Sequence, residues 1–579
     1  VGIWPTGGGR VADNMGSVVN TIFGIAIGMA ICTTIIYWQH IEEVSQVEEM
    51  MEMSSHRMEG LGHGRISKDD GGVGMAYLRA EKERVKSNEA KLRKSHVLDS
   101  NSIDESADES PSTFTDTDVR LQKKINGYEV GKLGQSECPK GIDISYWKPF
   151  SKNDGNYHSP FGDSIAGIEV AGDPKFVTFE PDHGGWNNIR MAMETVMVFA
   201  HATGRILVMP PEQPLYLLNK EKGKQAHGFG DFFQLDDISG TTSLKIIEME
   251  DFVRDYAADG NVLPEPYKGP TDIYSTSGRK ALWAYLRKIS EKPKWDADKV
   301  GIVFPPHPTD LGRPVDPGIG ETASFLYDRP TKKTREAVTY NKELRAARVI
   351  HFPADPKAGY RYLTHFYTFL HFQNAFMDRY YRRFIRDLMH YREDIYCHAS
   401  CVVRQLWEES GGSYASFHIR RGDFQYKLVK LPAEDLYKNS IQQLNKGEFI
   451  YIATDERDKK FFAPFAKDFK LRYLDDYFDS CGLGEVNKNY YGMIDQIISA
   501  YGRVFFGTWF STFTGYITRM RGYLGMDDRT NWYFHLPKKD AFQPRPGVGR
   551  DGGHGEEYWP ETPYYKREWP LAWKEVEEK

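Results

Sequence analysis

The chain has 579 residues, 40% hydrophobic and 14% aromatic, which is enough for two or three domains with a sizeable core. Its formal net charge of −6 lacks the basic footprint of a general nucleic-acid binder, so no nucleic-acid partner is expected. Positive charge is local instead, in Arg/Lys clusters at 379–386 and 420–430 that suit a phosphate-bearing ligand.

Residues 14–39 carry no charged side chain. Such a run crosses a hydrocarbon core of about 30 Å at about 1.5 Å per residue. Tyr37 and Trp38 sit at one end, where amphipathic aromatics favour the interface. Arg10 precedes the run and Glu42 and Glu43 follow it, so the positive-inside tendency puts the N-terminus in the cytosol and the bulk in a lumen. The reading is a short cytosolic tail at 1–16 and an uncleaved transmembrane signal anchor at 17–38; a cleaved signal peptide is the competing reading, and the apolar run is long for one. Residues 39–170 read as a partly disordered stem or linker. Residues 76–96 are a highly charged helical pattern, and 99–118 are rich in Ser, Thr, Asp and Glu, a composition that buries too little apolar surface to offset chain entropy. Anchor, stem and globular region are the layout of a tethered lumenal enzyme, and equally of a surface receptor.

Globular patterning begins near residue 170. A strand at 175–179 is broken by Gly184-Gly185, and a helix follows over 186–203 with Ile189, Met193, Val196 and Ala200 on one face. Gly204 ends the helix, and a strand at 206–209 stops at Pro210-Pro211. Strand–helix–strand is the mark of a parallel sheet. Residues 212–390 are less regular. Alternation then resumes: strand 414–419, helix 432–446, strand 448–453, helix 457–467, strand 470–474, helix 489–501, strand 503–506 and a helix from 511. The pattern gives an α/β protein of two halves with a ligand cleft between them.

The strand at 414–419 delivers His418, Arg420, Arg421, Gly422 and Asp423 together at its C-terminal end, where open α/β sheets bind ligands. Planar guanidinium forks suit phosphate oxygens, so the sharp reading is a nucleotide-diphosphate grip; the plain one is a surface Arg pair bridged to Asp423. Gly184-Gly185 followed by Asn187 and Asn188 lies between strand and helix, where it either approaches a polar ligand closely or is an ordinary capped turn. Ser511 and Thr512, before Phe513, either cap a helix or bind phosphate or ribose, and Asp495 either accepts from a purine edge or pairs with an arginine. The five cysteines, at 32, 138, 397, 401 and 481, do not make a disulfide framework. Cys397 and Cys401 either pair in an oxidising lumen or are small buried residues. No Asn-x-Ser/Thr sequon occurs, so no N-glycan is expected.

Taken together, the turn Gly184-Gly185-Trp186-Asn187-Asn188-Ile189-Arg190, the segment His418-Ile419-Arg420-Arg421-Gly422-Asp423-Phe424, Ile452-Ala453-Thr454-Asp455-Glu456, and the series Asp495, Arg503, Gly507-Thr508, Ser511-Thr512-Phe513, Tyr516-Ile517, Arg519, Arg521-Gly522-Tyr523 occur in an order that resembles the GDP-fucose protein O-fucosyltransferase family, over roughly residues 175–540. The resemblance implies a GT-B-like fold of two Rossmann-like domains, 171–395 and 396–540, facing a cleft, with a tail at 541–579 packed on them, GDP-fucose held mainly by the C-terminal domain, an acceptor on the N-terminal side, and an inverting transfer of fucose to a hydroxyl of protein or glycan that needs no metal and no cofactor besides the donor. By carry-over Arg420 stabilises departing GDP. His418, Arg421, Asp423, Asp455, Asp495, Ser511, Thr512 and Phe513 hold the nucleotide, and Gly185, Asn187 and Asn188 face the fucose or acceptor. Some family members place a Glu, proposed as the base, where this chain has Gly184; Asp182 is the first candidate to replace it and His183 the second. The membrane implied is that of the Golgi or endoplasmic reticulum. The rival readings are another sugar nucleotide or a glycan acceptor, and a tethered binding protein without catalysis.

Overall fold

The computed structural model of the protein describes residues 124–162, 173–215, 218, 226–258, 262–290, 295, 300–304, 325–328, 333–354, 369–372, 374–422, 424, 426–536, 568, 573 and 576–577, all within one compact unit, Thr115–Lys579. The expected cytosolic tail, membrane anchor and charged stem up to residue 123 lie outside the described residues. Among those described, no helix is long and apolar enough to cross a membrane.

The fold starts earlier than residue 170. Strands β1 (Lys124–Ile125), β2 (Tyr128–Leu133) and β3 (Ser136–Ile142) form an antiparallel sheet in the order β1-β2-β3. Leu133, Cys138, Ile142 and Ile144 are buried, so the last part of the expected stem belongs to the core. The strands are short and irregularly buried, which hid them from a period-two reading.

The next elements match the sequence closely. Strand β4 (Phe176–Phe179) is buried along its whole length, and helix α1 (Trp186–Thr203) ends at Gly204, whose φ of 63° is the left-handed cap that glycine adopts without a Cβ penalty. Strands β5 (Ile206–Met209) and β6 (Ile246–Glu248) follow, then helix α2 (Thr276–Ile289). The less regular stretch contains a second sheet, from β7 (Val300–Phe304), β8 (Phe325–Asp328) and β9 (Lys333–Thr339), before β10 (Val349–Phe352) returns to the first and β11 (Leu370–Phe372) joins the second. The first sheet runs β10-β4-β5-β6, every neighbour parallel; the second runs β11-β7-β9-β8 with β8 antiparallel.

Helices α3 (Ala375–Leu388) and α4 (Glu393–Ser410) lead to β12 (Ala415–Ile419), α5 (Ala433–Ser440), β13 (Phe449–Thr454), β14 (Lys470–Arg472), α6 (Tyr491–Ala500), β15 (Phe505–Gly507), α7 (Thr512–Tyr523) and β16 (Asn531–Tyr533). The third sheet has the order β14-β13-β12-β15-β16, entirely parallel. The continuous helix expected at 457–467 is instead a 3-10 turn, Lys459–Phe462, followed by a single α turn, Ala463–Ala466. Pro464 sits in that last turn, where its missing N–H and fixed φ suit a helix start and not a helix interior.

The cysteines correct the 397–401 alternative. Cys397 bonds to Cys138 and Cys401 to Cys481, so two cystines one helical turn apart on α4 hold the β1–β3 sheet and the loop before α6. At i, i+4 on one helix the two thiols lie on the same face, and each meets a separate strand or loop there.

A seam of buried polar groups joins the two halves of the chain. Arg190 on α1 donates to Glu194 at 2.5 Å and to Glu568 at 2.9 Å, while Arg519 on α7 donates to Glu194 at 2.8 Å and also pairs with Glu568. Trp573 is fully buried beside it, its ring 4.5 Å from the Arg519 guanidinium, and Arg383 donates to the carbonyl of Val576.

Candidate active site

Strand order locates the site. In the third sheet the chain runs outward from β12 through β13 to β14, then returns to the other side of β12 with β15 and β16. In a parallel sheet the crevice beyond the carboxyl ends at such a reversal, here between β12 and β15, is where ligands bind. The residues leaving those two strand ends are Ile419–Arg420 and Thr508–Phe513. The first sheet reverses likewise between β4 and β10, and the segment leaving β4 is the turn 180–185 before α1.

His418, buried on β12, bonds through Nδ1 to the Thr514 hydroxyl at 2.7 Å and stacks on Phe513 with ring centroids 4.3 Å apart. Burial, with the Arg420 charge beside it, pushes its pKa down to about 3, so the ring is neutral at physiological pH. The Arg420 N–H donates to the Thr508 hydroxyl at 3.0 Å, which in turn donates to the His418 carbonyl at 3.1 Å. The Arg420 guanidinium lies 3.0 Å from Asp455 and retains 23% exposure, so its charge is positioned yet accessible. Asp455 also accepts from the Arg421 N–H at 2.6 Å, and Gly422 is required at the bend because a Cβ there would stand 2.8 Å from that carboxylate.

Arg421 departs from its expected role. Its side chain pairs with Glu456 at 2.9 Å, donates to the Leu431 carbonyl at 2.9 Å and covers the Phe461 ring at 3.9 Å. The fork of Arg421 is thus engaged within the protein. Asp423 lies outside the described residues.

Ser511 is the buried N-cap of α7 and makes no side-chain cap bond. Its hydroxyl and the N-terminal end of a 12-residue helix therefore stand together at the switch point, a combination that attracts anions. Phe510, just before it, has φ of 67°, a conformation costing a bulky residue roughly 1–3 kcal/mol and found mostly at ligand sites. Its ring stacks on Tyr426 at 4.7 Å. Asp495, on α6, accepts from Tyr451 at 2.5 Å, and burial pushes its carboxyl up to about 7. Thr512 faces across to the first half, donating to Asn188 Oδ1 at 3.0 Å.

On that side, Asp182 is buried and its Oδ1 accepts from the Gly184 N–H at 2.6 Å, which fixes the turn; His183 is exposed. Gly185 is the extended N-cap of α1. Asn187 is buried and accepts from Gln496 at 3.2 Å. Glu180, the remaining carboxylate of the turn, is held by Arg287 at 2.6 Å and His351 at 3.1 Å, and those hydrogen bonds outweigh its burial and keep its pKa below the ordinary value. The structure thus gathers His418, Arg420, Asp455, Ser511 and Phe513 at one switch point, and Thr512 with Asn188 across the halves, and turns Arg421 away. Sequence reasoning passed over Gln496, Thr514 and Tyr451, all polar neighbours of residues it named. Among the described residues, no three or more His, Cys, Asp or Glu side chains gather as a metal site.

A parallel-sheet edge that is basic and lined with hydroxyls suits a phosphate-bearing ligand, and the family comparison places the chain among glycosyltransferases. The family model described as GDP-fucose protein O-fucosyltransferase matches residues 176–524, more than half of the chain, and the chain belongs to that family. Among solved structures, POFUT1 in complex with GDP is similar at 12% identity over 63% of this chain and 99% of that chain, with a TM-score of 0.31. POFUT1 in complex with GDP-fucose is similar at 11% identity, over 62% and 98%, with a TM-score of 0.31. The fucosyltransferase NodZ from Bradyrhizobium is similar at 13% identity, over 60% and 93%, with a TM-score of 0.31. No curated protein matches the chain.

Proposed function

We propose that this protein transfers fucose from GDP-fucose to a hydroxyl of a protein or glycan acceptor in a single inverting displacement that needs no metal. The observation that carries the reading is the accessible Arg420 guanidinium beside the uncapped start of α7, at the switch point of a parallel sheet inside the family match. The acceptor oxygen forms its bond to the fucose anomeric carbon as the bond to the β-phosphate oxygen breaks; GDP leaves with the electron pair, and the acceptor proton passes to a base. Charge grows on the leaving phosphate, and a fixed cation acts on that change. Arg420 supplies it, with Ser511 and the helix N–H groups adding donors. Neutral His418 and the stacked Phe513 line the nucleotide pocket, and Asp495 accepts from a purine N–H edge. Asp182 takes the proton, directly or through a water, from the turn that faces the acceptor. We assign the nucleotide to the 396–540 half and the acceptor to the 171–395 half of a GT-B-like pair.

We also propose the secretory pathway, Golgi or endoplasmic reticulum, as its location, anchored through 17–38. The two cystines support this, because disulfides persist in oxidising compartments. The test is a panel of sugar nucleotides: GDP and GDP-fucose should raise the melting temperature of the protein and UDP-sugars should not. Asp182→Asn should lose transfer while keeping GDP affinity. Equal stabilisation by unrelated nucleotides defeats the donor assignment, and full transfer by Asp182→Asn defeats the base.

A further inference from the structure

We propose that Gln496 is a positioning residue for the transfer, a role that rests on the fucosyl-transfer reading and adds to it a residue outside the motifs. Gln496 sits on α6, 1% exposed, between the starts of α1 and α7. Its Oε1 accepts from the Tyr391 hydroxyl at 2.9 Å. Its Nε2 donates twice, to Asn187 Oδ1 at 3.2 Å and to the Phe513 carbonyl at 3.2 Å. Tyr391 in turn accepts from Trp186 Nε1 at 3.2 Å. One buried amide therefore holds the first turn of the acceptor-side helix and the first turn of the donor-side helix together.

The two ends differ in what is fixed. At Phe513 the bond sets the main chain of the turn whose ring stacks on His418. At Asn187 it sets which way the side-chain amide faces. Gln496 Nε2 and, at 3.5 Å, Arg190 Nε both donate to Oδ1, so Oδ1 is committed to the protein and the NH2 group is engaged by neither. Gln496 thereby orients the donor group Asn187 presents, and does so in register with the nucleotide pocket. Hydrogen bonds inside a buried network are stronger than in water, and leaving a partner unmet is costly, so the register is stiff. Misplacement of a reacting group by about 1 Å can cost on the order of 100-fold in rate.

The experiment uses the full chain and reads GDP release from GDP-fucose, GDP binding and melting temperature. Gln496→Met keeps the volume and removes all three hydrogen bonds. Its kcat should fall about 10- to 100-fold while KM for GDP-fucose and Kd for GDP stay within about threefold. Combined with Asn187→Ala, it should lose no more than the larger single variant, because both act on one unit. A purely structural role predicts a lower melting temperature with kcat of the folded protein unchanged, and additive losses in the pair. Tyr391→Phe takes away the bond to Oε1 and the acceptor of Trp186 Nε1 while leaving both Nε2 bonds, and serves if Gln496→Met does not fold; it should lower kcat with Kd for GDP unchanged. Native kcat in Gln496→Met, or in Tyr391→Phe where the former does not fold, overturns the positioning role and leaves the donor reading standing. A wild-type chain that neither binds GDP nor turns over GDP-fucose overturns both.

Discussion

Arg420 and the pair Arg190 and Arg519 belong to the same motif-bearing region of the family match and do opposite things with the same guanidinium group. Arg190 and Arg519 are 0% exposed, and each meets two carboxylates; Arg420 keeps 23% of its side-chain surface and pairs with Asp455 through Nε. Positive charge at the seam is neutralised out of reach of solvent, whereas the Arg420–Asp455 pair at the sheet edge stays partly exposed. Accessibility and the number of carboxylates, rather than residue type, separate the arginines that hold the fold from the one proposed to meet phosphate.

The largest effect should come from breaking the neutral side. Glu568→Ala leaves two buried guanidinium groups facing one carboxylate, and losing one partner of a buried pair costs about 3–5 kcal/mol. Chemical denaturation should show that loss, and a variant within about 1 kcal/mol of native would mean the seam is more open to water than its burial implies. Next is Arg420→Ala, which should reduce transfer on the order of 10²- to 10³-fold with little change in melting temperature. Arg420→Lys should also be impaired, because an ammonium lacks the fork; a near-native turnover in either variant ends the contrast between the two arginine sets.

A third test turns on Asp495, whose carboxyl burial raises to about 7. Its ordinary value is near 3.9, so the folded state binds the proton more tightly than the unfolded chain. Stability should therefore fall as pH rises from about 4 to about 7 and level off above. GDP affinity should move the other way through about pH 7, since the carboxylate offers a purine N–H edge two acceptor oxygens and protonation turns one of them into a donor. Asp495→Asn should flatten both curves in titrations of melting temperature and GDP binding; parallel slopes would remove Asp495 from the nucleotide pocket. The smallest effect belongs to Arg421→Ala. Its bonds are to partly exposed Glu456 and a carbonyl, so it should cost about 1 kcal/mol or less and leave turnover within a few-fold.

The strand–helix alternation around 175–209 and 414–523 was legible because each element carries its own period and ends at glycine or proline. The βα turns carrying Asn187, Arg420 and Ser511 were legible for the same reason, since a strand end followed by a helix start is a local pattern. The engagement of Arg421 is not legible because its partners, Glu456, the Leu431 carbonyl and Phe461, lie further along the chain. The sheet at 124–142 was missed because what buries it, helix α4 with a cystine, lies more than 250 residues away. Pairing across 259 and 80 residues likewise leaves no local trace, and neighbouring Cys397 and Cys401 drew attention to each other instead.

Glu568 also sets an order of events in biosynthesis. Arg190, Glu194 and Arg519 are made first, and until the chain has grown past residue 568 they are one negative charge short. The cost of burying an unbalanced guanidinium keeps the seam from closing during that interval. The halves can each acquire their sheets as they emerge, in the way domains do during synthesis. Closing this seam waits for the segment that carries Glu568, so a chain that stops short of it has both halves built and lacks one carboxylate of the lock between them.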